Sequence, residues 1–305
     1  MANEIVYSGL GDLRLAEDLN RALEILVADL STALWGHEAL MYKGDLSGSA
    51  SSVTKVGQIG VADRMAAVAE LASPSNTAIT DDSYQITVSR QALQRTLSGL
   101  AILTDSINST QVGLWAQQMI MAAALRFVEV VAALVGGFTA TVGTTTVDLD
   151  VDNVFEAQFA LTNANASGQP VCLLYPQQFT DFQSSLRAET GVIQFQTPSA
   201  EMLMFGSPGY KGRWNGIDFL TSSLVPTANA GADSAGGMFV RGAIGWADAT
   251  QTVQSALNNA ILMARKVVVR IDEDISADTV KIVGSYYFGA AQAQDSLGVS
   301  MITDR

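Results

Sequence analysis

The longest apolar run lies at Gln111–Val135, QVGLWAQQMIMAAALRFVEVVAALV, which has no proline and a single glycine near its start. At about 1.5 Å per residue, a helix of that length spans roughly 37 Å. The apolar part, Met119 to Val135, is short for a membrane span, and it is interrupted by Arg126 and Glu129. Each charge would cost about 2.5–3.5 kcal/mol at a bilayer centre. The pattern therefore predicts a long helix buried on most sides of a protein or assembly, with one ionic notch. Arg126 and Glu129 are three apart and share a helix face, so they either pair with each other or meet partners from adjacent elements. Reversing Arg126 to Glu is expected to disturb folding or assembly more than changing a loop charge.

Upstream, residues 1–12 read as an extended arm. Leu13 to Leu34 follows helical spacing, with Leu19, Leu23, Leu26, Leu30 and Leu34 on one stripe and Glu17, Arg21 and Glu24 facing away. Two readings stand: a helix packed on its own core, or an arm helix whose leucine stripe docks on a neighbouring copy. From Lys43 to Asn76 the chain is rich in Gly, Ser, Thr and Ala, with a β-prone piece at Val53–Val56 and a turn at Pro74-Ser75-Asn76. Tyr84, Ile86 and Val88 then alternate with Gln85, Thr87 and Ser89, as in a half-buried strand. Two β segments around a weakly hydrophobic middle predict a long projecting hairpin. Gln91 to Leu103 has mixed helical spacing.

Beyond the long helix, Gly136-Gly137 supplies a stop. Thr139 to Asp150 reads as β, and Asp152 as the cap of a helix from Asn153 to about Ala164, with Val154, Phe155, Phe159 and Leu161 partly on one side. The run VCLLY at Val171–Tyr175 has the continuous apolarity of a buried strand, and Pro176 opens a helix to Arg187. Gly206 to Gly216 reads as a loop leading into a strand at Ile217–Leu220, and the small residues Ala228 to Gly237 as an exposed tip. Strands are expected at Met238–Trp246, Lys266–Ile271, Lys281–Phe288 and Val299–Ile302, with a helix at Gln251–Met263. This is an α+β chain without regular βαβ alternation or internal repeat.

Composition adds a need for partners. The 305 residues are 48% hydrophobic and only 15% charged, which leaves apolar surface for association between copies. A formal charge of −13 argues against electrostatic grip on nucleic acid, while permitting a repulsive wall beside it. The lone Cys172 cannot form an internal disulfide, and the start of the chain has no signal-peptide pattern.

No catalytic constellation emerges. His37 is the single histidine, so histidine-based triads within one chain are excluded. Cys172, inside VCLLY, reads as apolar filler. Asp148, Asp150 and Asp152 imitate the opening of a calcium loop, but Asn153 and Phe159 stand where glycine and glutamate are needed. A remote alternative is an acidic-residue hydrolase or sugar-binding protein using Asp148 and Asp150. Lys211, Arg213 and Trp214 within the glycine-rich stretch offer a weak stacking signal for single strands. No metal site and no cofactor are implied.

The order of these features resembles the major capsid proteins of tailed bacteriophages, with the Hong Kong 97-like fold. LLYPQQFTDFQSSL at 173–186 is similar to the strand–proline–helix passage of that family's axial domain. GYKGRWNGIDFLTSSLVP at 209–226 resembles its glycine-rich turn and strand, and SYYFGAAQAQDSLGVSMITDR at 285–305 its closing strands. The resemblance covers essentially the whole chain. It implies an N-terminal arm at 1–45, an extended loop at 46–90, a peripheral domain at 91–140 with the spine helix, an axial domain at 141–257 and a second peripheral segment at 258–305. It further implies pentamers and hexamers closing an icosahedral shell around double-stranded DNA, a portal and, in some members, a decoration protein, with no membrane. The arm begins within a dozen residues of Met1, leaving no room for an internal scaffolding segment, so a separate scaffolding protein is expected. The founding member joins a loop lysine to a late asparagine. Lys55 matches the first, but no asparagine follows Asn259, so no such crosslink is expected. An encapsulin-like nanocompartment is the alternative within the same fold.

Overall fold

A computed structural model describes residues 39–46, 52–59, 81–98, 108–188, 209–249, 262–264, 267–274 and 279–305. The leucine stripe Leu19, Leu23, Leu26 and Leu30, His37, and the helix expected at Gln251–Met263 as far as residue 261 lie outside these residues.

The strands are β1 (Leu40–Asp45), β2 (Val53–Ile59), β3 (Asp81–Thr87), β4 (Ser89–Ser98), β5 (Thr141–Val142), β6 (Val171–Leu174), β7 (Tyr210–Trp214) and β8 (Ile217–Thr221). They continue as β9 (Thr227–Ala228), β10 (Asp233–Phe239), β11 (Ile244–Asp248), β12 (Leu262–Ala264), β13 (Val267–Asp274), β14 (Thr279–Gln292) and β15 (Gly298–Asp304). The helices are α1 (Asn108–Val135), α2 (Val151–Asn163) and α3 (Pro176–Ala188).

Two sheets organise the body. A six-stranded sheet runs β1-β11-β14-β13-β12, with β4 also on β14, and a seven-stranded sheet runs β5-β15-β10-β6-β8-β7, with β9 on β10. Three strands leave the segments read from sequence. β1, within 1–45, and β11, within 141–257, join the six-stranded sheet, and β15, within 258–305, joins the seven-stranded one.

The spine helix α1 begins three residues before the predicted start and ends at Val135, ahead of Gly136-Gly137 as expected. Its inner face, Met119, Ala123, Phe127, Val131 and Val135, packs in one core with Trp246, Tyr286 and Phe288 of the six-stranded sheet and Leu173 and Phe239 of the other. The period-2 rule sends the neighbours of those last two residues, Cys172 and Met238, to the opposite face. There α2 and α3 build a second core around Phe182, Phe219 and Trp214. The predicted hairpin exists: β2 and β3 pair antiparallel from Val53↔Thr87 to Ile59↔Asp81. Its root is a small cluster of Ile86, Val88 and Ala247.

Several expectations fail for physical reasons. Ser89–Ser98 is strand, because pairing with β14 over Ser89–Ser98↔Phe288–Thr279 outweighs a weak helical pattern. Within Thr139–Asp150, strand is confined to Thr141–Val142. The α2 cap is Asp150 rather than Asp152: Asp150 accepts from Asn153 N at 2.8 Å, and Asn153 Oδ1 accepts from Asp150 N at 3.2 Å. This capping box lets Val151 enter the core. Tyr210–Trp214 is strand, not loop, turned back onto β8 by Asn215 (φ 49°) and Gly216 (φ 78°), the type I′ pattern of a tight hairpin. The supposed tip at Ala228–Gly237 contains the start of β10, which is buried at all seven positions between β15 and β6.

Candidate assembly surfaces

Two buried polar side chains, Gln178 and Asp218, are committed to structure. Gln178 is fully buried, its Oε1 accepting from Tyr175 N at 3.0 Å. Its Nε2 donates to Ser234 O at 3.0 Å, Met301 O at 3.3 Å and Thr303 Oγ1 at 2.8 Å. One side chain thus fastens α3 to β10 and β15. Asp218 on β8 is 2% exposed. It accepts from Arg213 Nε at 2.8 Å, Arg213 Nη2 at 3.1 Å, Tyr210 OH at 3.2 Å and the Gln169 amide. Arg213 is therefore held by its cross-strand partner and Trp214 is 4% exposed, so neither forms an open stacking platform. Cys172 is fully buried, and burial pushes its thiol pKa up, which suits filler rather than a nucleophile. Among the described residues, no group of His, Cys, Asp and Glu is arranged to hold a metal, and no helix is long and apolar enough to cross a membrane.

Burial, then the Asp218 carboxylate, push the Tyr210 phenol up to about 12 from its ordinary value of 10.0. The neutral phenol is the form the fold favours, so its contribution is complete below pH 10 and is lost as pH rises through about 12. The stability difference between wild type and Tyr210→Phe should therefore shrink between those pH values in urea titrations. A difference constant with pH would show that Tyr210 titrates as in the unfolded chain.

What remains open is apolar surface. On the outer face of α1, Met121 is 47% and Leu125 54% exposed. Beside them Arg126 Nη1 donates to Glu129 Oε2 at 2.7 Å and Arg126 Nε to Gln91 Oε1 at 3.3 Å. These side chains are 45% and 51% exposed in the single chain, where such a pair is worth about 0–1 kcal/mol. Next to the pair is a cavity of about 220 Å³ lined by Gln91, Leu93, Met119, Arg126, Gly284 and Tyr286.

The other open patch is on α2. Its buried stripe is Val151, Val154, Ala157 and Leu161. Phe155 and Phe159 are not on that stripe and stand 45% and 72% exposed. The sequence reading put these rings partly with Val154 and Leu161. The missed signal was phase: successive helical residues differ by about 100°, so the residue after Val154 leaves its face. Phe155 retains a tilted ring contact with Trp214, centroids 5.5 Å apart and planes at 54°.

No protein-family model and no curated protein matches this chain. Solved structures do. The capsid of Ralstonia phage GP4 matches with a TM-score of 0.64 at 11% identity, over 87% of each chain. The SrpI encapsulin complex of Synechococcus elongatus PCC 7942 matches at 0.62 and 13% identity, over 90% of this chain and 89% of that one. A capsid of an empty GTA particle matches at 0.58 and 14% identity, over 90% of both. The chain has the Hong Kong 97-like capsid fold, an α+β architecture.

Proposed function

We propose that this chain is a major capsid protein of a tailed bacteriophage, assembling as pentamers and hexamers into an icosahedral shell around double-stranded DNA. The observation that carries the reading is the fold match to phage capsids over most of both chains. Exposed apolar stripes on α1 and α2 support it, since they give a chain of this composition surfaces for its own copies. On this reading the parts are an arm at 1–45, an extended loop at 46–90 carrying the β2–β3 hairpin, a peripheral domain from 91–140 and 258–305, and an axial domain at 141–257, with β1 and β11 added to the peripheral sheet and β15 to the axial one. The leucine stripe Leu19, Leu23, Leu26 and Leu30 docks on a neighbour, and Arg126 with Glu129 orders the outer face of the spine helix. The charge of −13 suits a wall that holds packaged DNA without gripping it. A separate scaffolding protein and a portal complete the particle, a decoration protein is an optional outer partner, and the chain itself is not an enzyme. Synthesis is in the bacterial cytoplasm and the final location is the virion.

A second reading, a nanocompartment shell around a cargo enzyme, is favoured by the likeness to the SrpI encapsulin complex. Purified protein, alone or with its scaffold, should sediment as large particles and show closed shells by electron microscopy. Double-stranded DNA inside particles from the native source supports the capsid reading and protein cargo the compartment. A monodisperse monomer under both conditions would overturn both.

A further inference from the structure

We infer that the exposed aromatic face of α2 is a contact between copies of this chain, and that it meets a different surface of the next copy rather than itself. The inference rests on the shell reading and deepens it by naming the residues and the kind of contact. Among the described residues Phe159 is the most exposed large apolar side chain, at 72%, and lies one turn from Phe155 at 45%. The rings share the outward side of α2 with Asp152 and Glu156, also exposed, and the helix carries no basic residue.

Charge decides between the two ways a second copy can sit there. A two-fold contact would set this face against its own image, bringing Asp152 and Glu156 towards their counterparts as the rings are desolvated. Like charges brought together in a drying interface are costly. Exposed cations are carried by other elements of this layer, among them Arg187 at the end of α3, Lys211 on β7 and Arg241 in the β10–β11 turn. A head-to-tail contact sets the acidic aromatic face against a non-identical surface, where a cation can meet it, and repeated contacts of that kind close rings.

Area points the same way. With roughly 200 Å² per aromatic side chain, the open parts of the two rings amount to about 230 Å². A stable pair of proteins needs about 800 Å² from each partner. The stripe alone does not hold a dimer, so it acts as one contact repeated around a closed assembly, where weak interfaces add.

The test places a photo-crosslinking benzoyl-phenylalanine at position 159 of the full chain under assembly conditions, alongside a Phe159→Ser variant. The expected crosslink joins position 159 to a residue of a second copy outside 151–163. Phe159→Ser should keep the wild-type melting curve and lose at least ten-fold in particle yield. A crosslink back into 151–163, a crosslink only to another protein, or wild-type yield from a folded Phe159→Ser chain would overturn the inference. If Phe159→Ser does not fold, the crosslink alone decides. Wild-type chains that form no particle would refute the shell reading instead, and a 159 crosslink between copies in that case would still support the contact.

Discussion

An Asp218→Ala chain should unfold at distinctly lower urea, with a loss of about 3 kcal/mol. Breaking a buried charge pair by removing one partner costs about 3–5 kcal/mol, because the other charge is left without compensation. The lower end applies here, since the Arg213 side chain is 34% exposed and can partly recover water. Gln169 and Tyr210 also lose their acceptor. The damage is to more than one hydrogen bond: Arg213 and Asp218 are opposite each other across β7 and β8, and the carboxylate also accepts from the Gln169 amide, two residues before β6. The carboxylate therefore joins the outer hairpin to the entrance of β6. Asp218→Asn should fall between wild type and Asp218→Ala, keeping one acceptor but presenting an amide to the guanidinium. Urea titrations of the unassembled chain, followed by circular dichroism, measure both. An Asp218→Ala loss below about 1 kcal/mol would show that the pair only breaks even against its desolvation.

The elements legible in the sequence were those whose signal is local. VCLLY could be read as a buried strand because both its faces are covered, by the spine-helix core on one side and by α2 and α3 on the other. The Gln111–Val135 run announced a helix by length and apolarity, and Tyr84–Ile86–Val88 a strand by alternation. β4 shows the limit. SRQALQRTLS carries polar residues at positions a central strand would fill with apolar ones, and among the described residues it pairs only with β14. Its identity depends on a partner nearly two hundred residues away, which no window contains.

The small-residue stretch at 228–237 failed for a different reason. Gly and Ala serve both an exposed turn and a strand whose neighbours come too close for side chains, and composition alone does not separate the cases. The assembly surfaces were half legible. Apolar excess promised partners, but which apolar residues stay uncovered was a matter of helical phase fixed at the Asp150 cap. The two-residue shift makes Asp150 the cap in place of Asp152. It leaves Asp152 beside Phe155 on the outer side of α2.

Gly237→Ala should destabilise the unassembled chain by about 3 kcal/mol, the upper end for one added methyl in a packed core. Gly237 sits in the middle of β10, opposite Ser300 of β15 and Leu173 of β6. A Cβ there would stand 2.5 Å from Val299 O, 2.7 Å from Val135 Cγ1 and 3.3 Å from Ser300 Cα. The first and third of these belong to backbone already fixed by strand pairing, and Val135 is fully buried at the last turn of α1. Relief requires either moving β15 off β10 or lifting the end of the spine helix from the sheet, and each loosens a core that holds both sheets together. Gly57 in the β2 strand supplies the control, because a Cβ there meets nothing within 4 Å. Gly57→Ala should be near neutral, within about 1 kcal/mol of wild type. Thermal and urea unfolding of both variants, compared before assembly, separates the cost of filling the β10 seat from the general effect of adding a methyl to a strand glycine. Equal stabilities would mean that the spine helix does not rest on β10 as closely as these distances require.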